Sequence, residues 1–289
     1  MRLKALDTTT ARKAQRRGYF DEHLTGLYSS AYGKPYLYRD SYLVYEDPAS
    51  KAVSLTLFAL EKDADSQEDR LKCLREVTRY FQPARLIVTS PLKLPDSYDG
   101  YVCEKSYADK DYQIFLEQFD ENLVGGSYKG LRYHVNHAKR QGYSLVSGKV
   151  FSPAHISILA SFLVRSKSYE IWDYQLYLAL GDFFSKRGSH VLFNVFSDGL
   201  LVGFDVVDAL SDVLCVPLGF YLDCPSIADY LIYEEILYAK KRGFKWLDIG
   251  WACNVSGLEE FKVKWKAAPR FEVYVQVFKR VESSSGKPY

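Results

Sequence analysis

The sequence predicts an α/β (α+β) protein in which a mixed β-sheet is flanked by helices. Its 289 residues correspond to about two domains, each long enough to bury a core of its own. Hydrophobic residues make up 47% and charged residues 26%, values that are typical of a globular chain and exclude a disordered or fibrous protein. Strand-like and helix-like segments alternate, and one strand–helix–strand unit near the C-terminus requires a parallel strand pair.

A basic segment precedes a nearly neutral body. Residues 1–18 contain six Lys or Arg side chains against Asp7 alone, whereas the whole chain has a net charge of only +2. That total is too small to indicate nucleic-acid binding by itself. We therefore expect residues 1–18 to form a solvated basic arm.

Cysteine usage and hydropathy predict the compartment. The five cysteines are scattered and contain no CxxC pair, which argues against a disulfide framework and a structural zinc site. No apolar stretch approaches the roughly 18 residues of a membrane span, and the N-terminus lacks an apolar signal region. These features predict a cytoplasmic protein without a transmembrane segment.

After the arm, the first half predicts a β-β-α-β order. Two apolar runs flank the turn signal Asp47-Pro48-Ala49-Ser50 and indicate a hairpin. Leu71, Leu74 and Val77 at helical spacing predict a helix. In chain order we expect strands at 41–45 and 52–60, a helix at 66–81, a strand at 85–89, a loop at 91–109 and a short strand near 112–115.

The second half predicts the order α-α-β-β-β-α-β-α-β behind a bridging helix. Leu131, Val135 and Ala138 lie on one face of that bridging helix, and Ser226 is expected to cap the helix of the strand–helix–strand unit. We expect helices at 127–141, 153–165, 173–186, 226–242 and 256–266, and strands at 190–196, 200–208, 213–222, 244–250 and 271–278. The three consecutive strands predict an antiparallel meander.

Two segments resemble a known group of transferases. Trp246-Leu247-Asp248-Ile249-Gly250, followed by the segment Gly257 to Trp265, resembles the "LDxG … GL..FK..[FW]" ending of FemABX-like and related GNAT-like transferases. Tyr128-Lys129-Gly130-Leu131-Arg132, with Ala138 to Tyr143 behind it, resembles the bridging helix of the same group, which includes phosphatidylglycerol lysyltransferase catalytic domains. The resemblance implies a GNAT-like mixed β-sheet in two tandem units.

The predicted domain organisation follows from this resemblance. We expect a basic arm at 1–18, a degenerate GNAT-like unit at 19–125, and a catalytic GNAT-like unit at 126–289 that includes the bridging helix 127–141.

Lys262 is the leading candidate for catalysis. The resemblance implies a lysine poised at the transferred acyl group, where a cation would stabilise the oxyanion of a tetrahedral intermediate. The alternative is a solvated surface lysine. Its neighbour Lys264 has a structural explanation, because Glu260 precedes it by four residues in the orientation of a stabilising helical ion pair.

Asp248 is the second catalytic candidate, since it ends a strand of the predicted parallel pair, where ligands of open α/β sheets collect. It would orient an acceptor amine or act as a base, or it would only accept hydrogen bonds from backbone amides of the following loop. Tyr221, Trp251 and Asn254 are expected to line the substrate pocket beside it.

The bridging helix is a candidate for phosphate binding. Lys129, Arg132 and Asn136 recur with Lys139 at three- and four-residue steps opposite the apolar stripe. A phosphate-rich ligand would suit this face, and so would plain solvation, because cations at a C-terminus complement the helix dipole.

The donor is predicted from the absence of a glycine-rich, pyrophosphate-binding turn. Coenzyme-A-dependent GNAT enzymes cradle a pyrophosphate with a glycine-rich turn, whereas the matching stretch Asp223 to Ala228 contains no glycine and begins with an acid. FemABX-like relatives instead use aminoacyl-tRNA, whose phosphates would suit the basic arm and the Arg132 face. We expect aminoacyl-tRNA or acyl-CoA as co-substrate and no tightly bound cofactor.

The sequence lacks the motifs of several other enzyme classes. GxSxG, P-loop, GxGxxG and HExxH are absent, and His134 and His137 lack a third ligand for a metal. The sequence therefore predicts an N-acyltransferase or aminoacyltransferase that forms an amide with an amine acceptor, which is a peptide, a cell-wall precursor, a lipid headgroup or a metabolite. The alternatives are an acyl-CoA-dependent GNAT N-acetyltransferase and a non-catalytic GNAT-like module that binds RNA or protein.

Overall fold

The computed structural model describes residues 3–5, 35–38, 42–47, 52–56, 67–165, 190–210, 212–252 and 255–281. Its strands are β1 Leu3–Ala5, β2 Pro35–Tyr38, β3 Tyr42–Asp47, β4 Ala52–Thr56, β5 Arg85–Ser90, β6 Ser97–Tyr98, β7 Tyr101–Phe115, β8 Ser144–Gly148, β9 His190–Ser197, β10 Leu200–Leu210, β11 Val213–Tyr221, β12 Trp246–Trp251 and β13 Ala268–Arg280. Its helices are α1 Gln67–Phe81, α2 Lys129–Arg140, α3 Pro153–Arg165, α4 Ile227–Arg242 and α5 Ser256–Lys264. No helix in these ranges combines the length and the apolar character that crossing a membrane requires.

Most predicted elements are confirmed, and the clearest difference lies between β5 and α2. Residues 101–109 of the predicted loop at 91–109 and the predicted short strand near 112–115 instead form one 15-residue strand, β7, and residues 97–98 of that loop form β6. Residues 102–108 of β7 are exposed or half-buried, so this segment lacks the apolar alternation that predicts a strand. Strand β8 was not predicted, and the predicted helix at 173–186 and most of the basic arm lie outside the described residues.

The chain divides into two compact units at different positions from those predicted. One unit comprises residues 1–110 and 271–289, and the other comprises residues 111–270. The predicted boundary at 125/126 and the assignment of the C-terminus to the second unit differ from this division. The reason is long-range pairing: residues 274–279 of β13 pair with residues 85–90 of β5, so the C-terminal strand belongs to the first unit.

The first unit has a mixed sheet with α1 as its crossover. Strands β1, β2, β3 and β4 pair antiparallel in succession, β4 and β5 are parallel, and β5 is antiparallel to β13. This is the predicted β-β-α-β order. Residues 3–5 of the expected arm form the edge strand β1.

The second unit contains the predicted meander and the parallel pair. Strands β8, β9, β10 and β11 pair antiparallel in succession, β11 is parallel to β12, and β12 is antiparallel to residues 111–115 of β7. Phe220 packs on Phe162 of α3 and on Phe204, whereas Phe193 packs on Tyr238 of α4, so these helices cover opposite faces of the meander. Helix α2 buries Leu131, Val135 and Ala138 in the same core as α4.

Candidate active site

The parallel strands β11 and β12 separate after a short shared segment. Their pairing covers only residues 213–215 and 246–248, although β11 continues to Tyr221 and β12 to Trp251. Beyond Cys215 and Asp248, each strand is paired on its other side only, with β10 and with β7. Among the described strands of the sheet, this separation opens a cleft at the carboxyl ends, where ligands of α/β sheets bind.

A β-bulge shapes the β12 side of this cleft. Asp248 lies opposite Gln113, but Trp251 lies opposite Asp111, so β12 has one residue more than β7 between these positions. Gly250 supplies the left-handed conformation of the bulge, with φ 71°. Its N–H donates to Asp248 Oδ1 at 2.8 Å, which ties the Asp248 carboxylate to the bulge.

Asp248 and Asp111 form a pair of carboxyl groups behind the bulge. Gln113 Nε2 donates to Asp248 Oδ2 at 2.9 Å, whereas Asp111 is only 4% exposed and its Oδ2 accepts no hydrogen bond from the residues that the structure describes. Burial raises the pKa of Asp111 well above its ordinary value and Asp248 raises it further, although Arg270 and Lys262 lower it. Burial also raises the pKa of Asp248. The pair therefore holds a proton more readily than an exposed carboxyl does.

Lys262 lies in the interior, so the surface-lysine alternative does not apply. Its side chain is 4% exposed, and its Nζ donates to the carbonyl oxygen of Ile249 within the bulge. A hydrogen bond from the Tyr112 hydroxyl to Glu259 connects α5 to β7. The ammonium group is thus positioned at the strand that carries Asp248, and it acts on both carboxyls electrostatically.

Lys264 has a different partner from the predicted one. Its Nζ lies 2.6 Å from Oδ1 of Asp229 in α4, and Trp265 Nε1 donates to the same oxygen at 2.8 Å. Asp229 is almost fully buried and precedes Lys264 by 35 positions, so the Glu260 pair expected from helix spacing does not explain this lysine. The ion pair fixes α5 against α4.

The predicted phosphate face of α2 is only partly available. Arg132 donates through Nη1 to the carbonyl oxygens of Leu123 and Gly125, so it holds the preceding loop. Lys139 Nζ lies 4.7 Å from the ring centroid of Tyr233. Lys129 and Asn136 are exposed.

Two of the three predicted pocket residues, Tyr221, Trp251 and Asn254, lie at the ends of strands in the structure. Tyr221 ends β11, and burial together with Asp205 raises the pKa of its phenol. Trp251 ends β12 and is 36% exposed. Asn254 lies outside the described residues.

Helix α4 begins after its turn without a side-chain cap. Ser226 occupies the N-cap position with φ 59° and ψ 17°, and its side chain does not cap the helix as predicted. Its Oγ instead lies 3.3 Å from His134 Nδ1 and 3.5 Å from His137 Nδ1 on α2. Asp223, at the start of the turn, faces Arg165 at 3.9 Å.

A second pair of carboxyls was missed by sequence reasoning. Asp205 of β10 and Glu235 of α4 are buried together, and within the described part of the chain neither oxygen of Glu235 accepts a hydrogen bond from a donor group. Burial raises the pKa of Asp205 to about 7 and raises that of Glu235 well above its ordinary value. Gly219 provides the space, because a Cβ at that position would collide with the Asp205 carboxylate. The available signal was Asp205 between two apolar residues of β10 and Glu235 next to the apolar stripe of α4.

Comparison with known proteins identifies the fold. No family model matches the chain and no curated protein matches it, whereas solved structures do. They include FemX and a tandem GNAT protein and share the fold of this chain, so the GNAT-like fold that the sequence motifs predicted is confirmed.

Three such structures illustrate the match. The C-terminal domain of a putative lysylphosphatidylglycerol synthetase from Agrobacterium fabrum has a TM-score of 0.62 and 14% identity, over 93% of this chain and 92% of that one. FemX has a TM-score of 0.59 and 10% identity, over 98% of both chains. A tandem GNAT protein from clavulanic acid biosynthesis has a TM-score of 0.59 and 12% identity, over 98% of this chain and 99% of that one. At these identities the similarity concerns the fold.

Proposed function

We propose that this chain is an acyltransferase that forms an amide by moving an activated acyl group, carried by aminoacyl-tRNA or by an acyl thioester, onto an amine. The observation that carries the proposal is the buried Lys262 ammonium at the β12 bulge, next to the proton-holding pair Asp111 and Asp248. A buried cation and a carboxyl pair of raised pKa at the mouth of a strand cleft are the groups that acyl transfer needs.

The proposed reaction assigns one role to each group. The acceptor amine loses a proton to the carboxyl pair and attacks the carbonyl carbon of the donor. Lys262 stabilises the negative charge that develops on the carbonyl oxygen. When the tetrahedral intermediate collapses, the bond to the tRNA oxygen or to the thiol sulfur breaks and the leaving group takes the proton. The products are an amide and a free hydroxyl or thiol, and no oxidant or reductant is required.

Aminoacyl-tRNA is the favoured donor. Where a glycine-rich anion cradle would be needed, the turn before α4 carries Asp223 and the side chain of Ser226, which faces two histidines. The neighbours named FemX and lysylphosphatidylglycerol synthetase support an aminoacyl group, and the tandem GNAT protein supports an acyl thioester. The aminoacyl donor agrees with a cytoplasmic location. The catalytic unit of the proposal is residues 111–270.

Lys262 provides the first test. Replacement by Met keeps most of the side-chain volume and removes the charge, so we expect transfer of a labelled amino acid to fall about 100- to 1000-fold while the melting temperature changes little. The assay uses the full chain with aminoacyl-tRNA and a panel of amine acceptors. Phosphatidylglycerol, which offers hydroxyl groups, is also tested, because one of the similar structures is a domain of a putative lysylphosphatidylglycerol synthetase.

Lys241→Ala is the matched control, because Lys241 is an exposed lysine of the same unit at the end of α4. We expect it to transfer at the wild-type rate. A folded Lys262→Met protein that transfers as fast as the Lys241→Ala control would overturn the role of Lys262. Transfer to hydroxyls alone would overturn the amide reaction.

A further inference from the structure

The surface of α2 combines positive charge with one prominent aromatic ring. Its twelve residues include Lys129, Arg132, Lys139 and Arg140 and no acidic residue. Tyr133 is 61% exposed, although it lies on a helix whose other face is packed in the core. Lys129, Tyr133 and His137 follow one another at four-residue steps and therefore form a row along the helix.

Two histidine rings support the Tyr133 ring. The His137 ring is nearly parallel to it, at a centroid distance of 6.1 Å and an angle of 19°. The His134 ring meets it edge-on, at 5.4 Å and 81°. One face of the tyrosine is therefore backed by aromatic groups, while the ring remains largely open to solvent.

Both histidines are held in place by hydrogen-bond partners outside α2. Ser226 Oγ lies within 3.5 Å of Nδ1 of each ring, and His137 Nε2 faces Gln141 Nε2 at 3.4 Å. His134 Nδ1 also lies 3.7 Å from Asp229, the acid that binds Lys264 of α5. Ser226 adopts a left-handed conformation and leaves α4 without a side-chain cap in this arrangement. The rings are thus preorganised, and they are connected through Asp229 to the helix that carries Lys262.

We propose that Tyr133, backed by His137 and His134, is a stacking platform for an unpaired base of single-stranded RNA, with Lys129 and Arg140 neutralising the adjacent phosphates. This proposal rests on the proposed aminoacyl-tRNA donor, for which it identifies the contact with the RNA end. Aromatic rings next to cations bind single strands in this way, because every base has a face on which to stack.

An anionic membrane surface would need different residues. Binding at a membrane interface requires a helix with several bulky apolar side chains on one face. On α2, Tyr133 is the sole large hydrophobic residue that is exposed, and its neighbours on that side are Lys129, Asn136 and Arg140. The charge and the single ring fit RNA better than a lipid surface.

The platform is tested by binding of a labelled, unstructured RNA oligonucleotide to the full chain at several salt concentrations. Tyr133→Ala should weaken binding about 5- to 100-fold, and Tyr133→Trp should bind at least as tightly as the wild type. The salt dependence should be unchanged in both, because stacking releases no counterions. Lys129→Ala should lower the slope of log affinity against log salt by about 1.

Val124→Ala is the control, since Val124 is a 68% exposed apolar residue of the same unit that lies outside α2. Wild-type affinity in Tyr133→Ala, or no RNA binding by the wild type, would overturn the proposal. Loss of binding to phosphatidylglycerol vesicles in Tyr133→Ala with unchanged RNA binding would instead assign the surface to a membrane.

Failure of the platform and failure of the proposed transfer can be told apart. RNA binding is measured without an acyl group, so Lys262→Met should leave it unchanged. If Lys262→Met transfers normally but Tyr133→Ala loses RNA, the catalytic assignment fails and the platform stands. If Tyr133→Ala binds RNA normally while Lys262→Met loses transfer, the platform fails and the catalytic assignment stands.

Discussion

At the scale of single residues, the second unit contains two kinds of buried charge. Lys262 has a carbonyl partner in the bulge and two carboxyls nearby, so its ammonium is compensated. Among the described residues no cation acts on Asp205 or Glu235, and a proton shared between them avoids a buried, unpaired charge. The first arrangement fits the proposed catalysis, and the second makes stability depend on pH.

The Asp205–Glu235 pair predicts the sign of that dependence. The folded-state pKa of Asp205 is about 7, well above that of an unfolded aspartate, so the folded state binds more protons between pH 4 and 7. The unfolding free energy should therefore fall as the pH rises through this window. Glu235→Gln offers an N–H donor to Asp205 and removes one carboxyl. We expect the stability of Glu235→Gln relative to wild type to rise by about 1 to 3 kcal/mol from pH 5 to pH 8.

Urea denaturation at several pH values measures this effect. Asp205→Asn is the reciprocal variant and should flatten the curve in the same way, whereas Glu260→Gln, at an exposed position of α5, should follow the wild type. Parallel curves for wild type and Glu235→Gln would mean that the pair does not share a proton.

At the scale of elements, the bulge of β12 is the feature that positions the site. Gly250 has φ 71°, and a Cβ there would meet no atom within 4 Å, so its replacement by Ala tests backbone conformation alone. We expect Gly250→Ala to destabilise the protein by about 1 kcal/mol and to lower transfer, because the bulge holds Asp248.

Gly257→Ala is the matched control for the bulge. Gly257 also has open space around a Cβ, but it lies in α5 without a positive φ, where alanine is favoured over glycine. The melting temperature of Gly257→Ala should equal or exceed that of the wild type. If Gly250→Ala were as stable and as active as Gly257→Ala, the left-handed bulge would not be needed.

At the scale of the whole molecule, the donor class can be separated by ligand-induced stabilisation. A ligand at 100 times its dissociation constant adds about 2.7 kcal/mol to the unfolding free energy. With aminoacyl-tRNA as donor, we expect about 1 mM coenzyme A or acetyl-CoA to leave the melting temperature of the full chain unchanged.

A clear upward shift with coenzyme A would favour the acyl-CoA enzyme in place of the aminoacyl-tRNA donor. Adenosine diphosphate at the same concentration is the control, because it carries the pyrophosphate without the pantetheine arm. A shift with both compounds would indicate an anion site alone.

Local sequence patterns were sufficient to predict most of the elements and the type of fold. Helical spacing in α1, α2 and α4 and the turn signals of the meander are local properties, so they were readable without the structure. The Phe261-Lys262 segment likewise indicated Lys262 as a candidate, and the structure shows that this lysine is buried. Asp248 was identified from its position at the end of a strand.

Which side chains meet could be seen only in the folded structure. Asp111 joins Asp248 across 137 positions because β7 and β12 pair around a bulge, and Asp205 meets Glu235 because α4 packs on β10. The same holds for Lys264 with Asp229, for Arg132 with its loop carbonyls, and for Ser226 with two histidines. Local patterns report the backbone near a residue, whereas burial, shared protons and preorganised rings arise from strand register and helix packing between segments far apart in the chain.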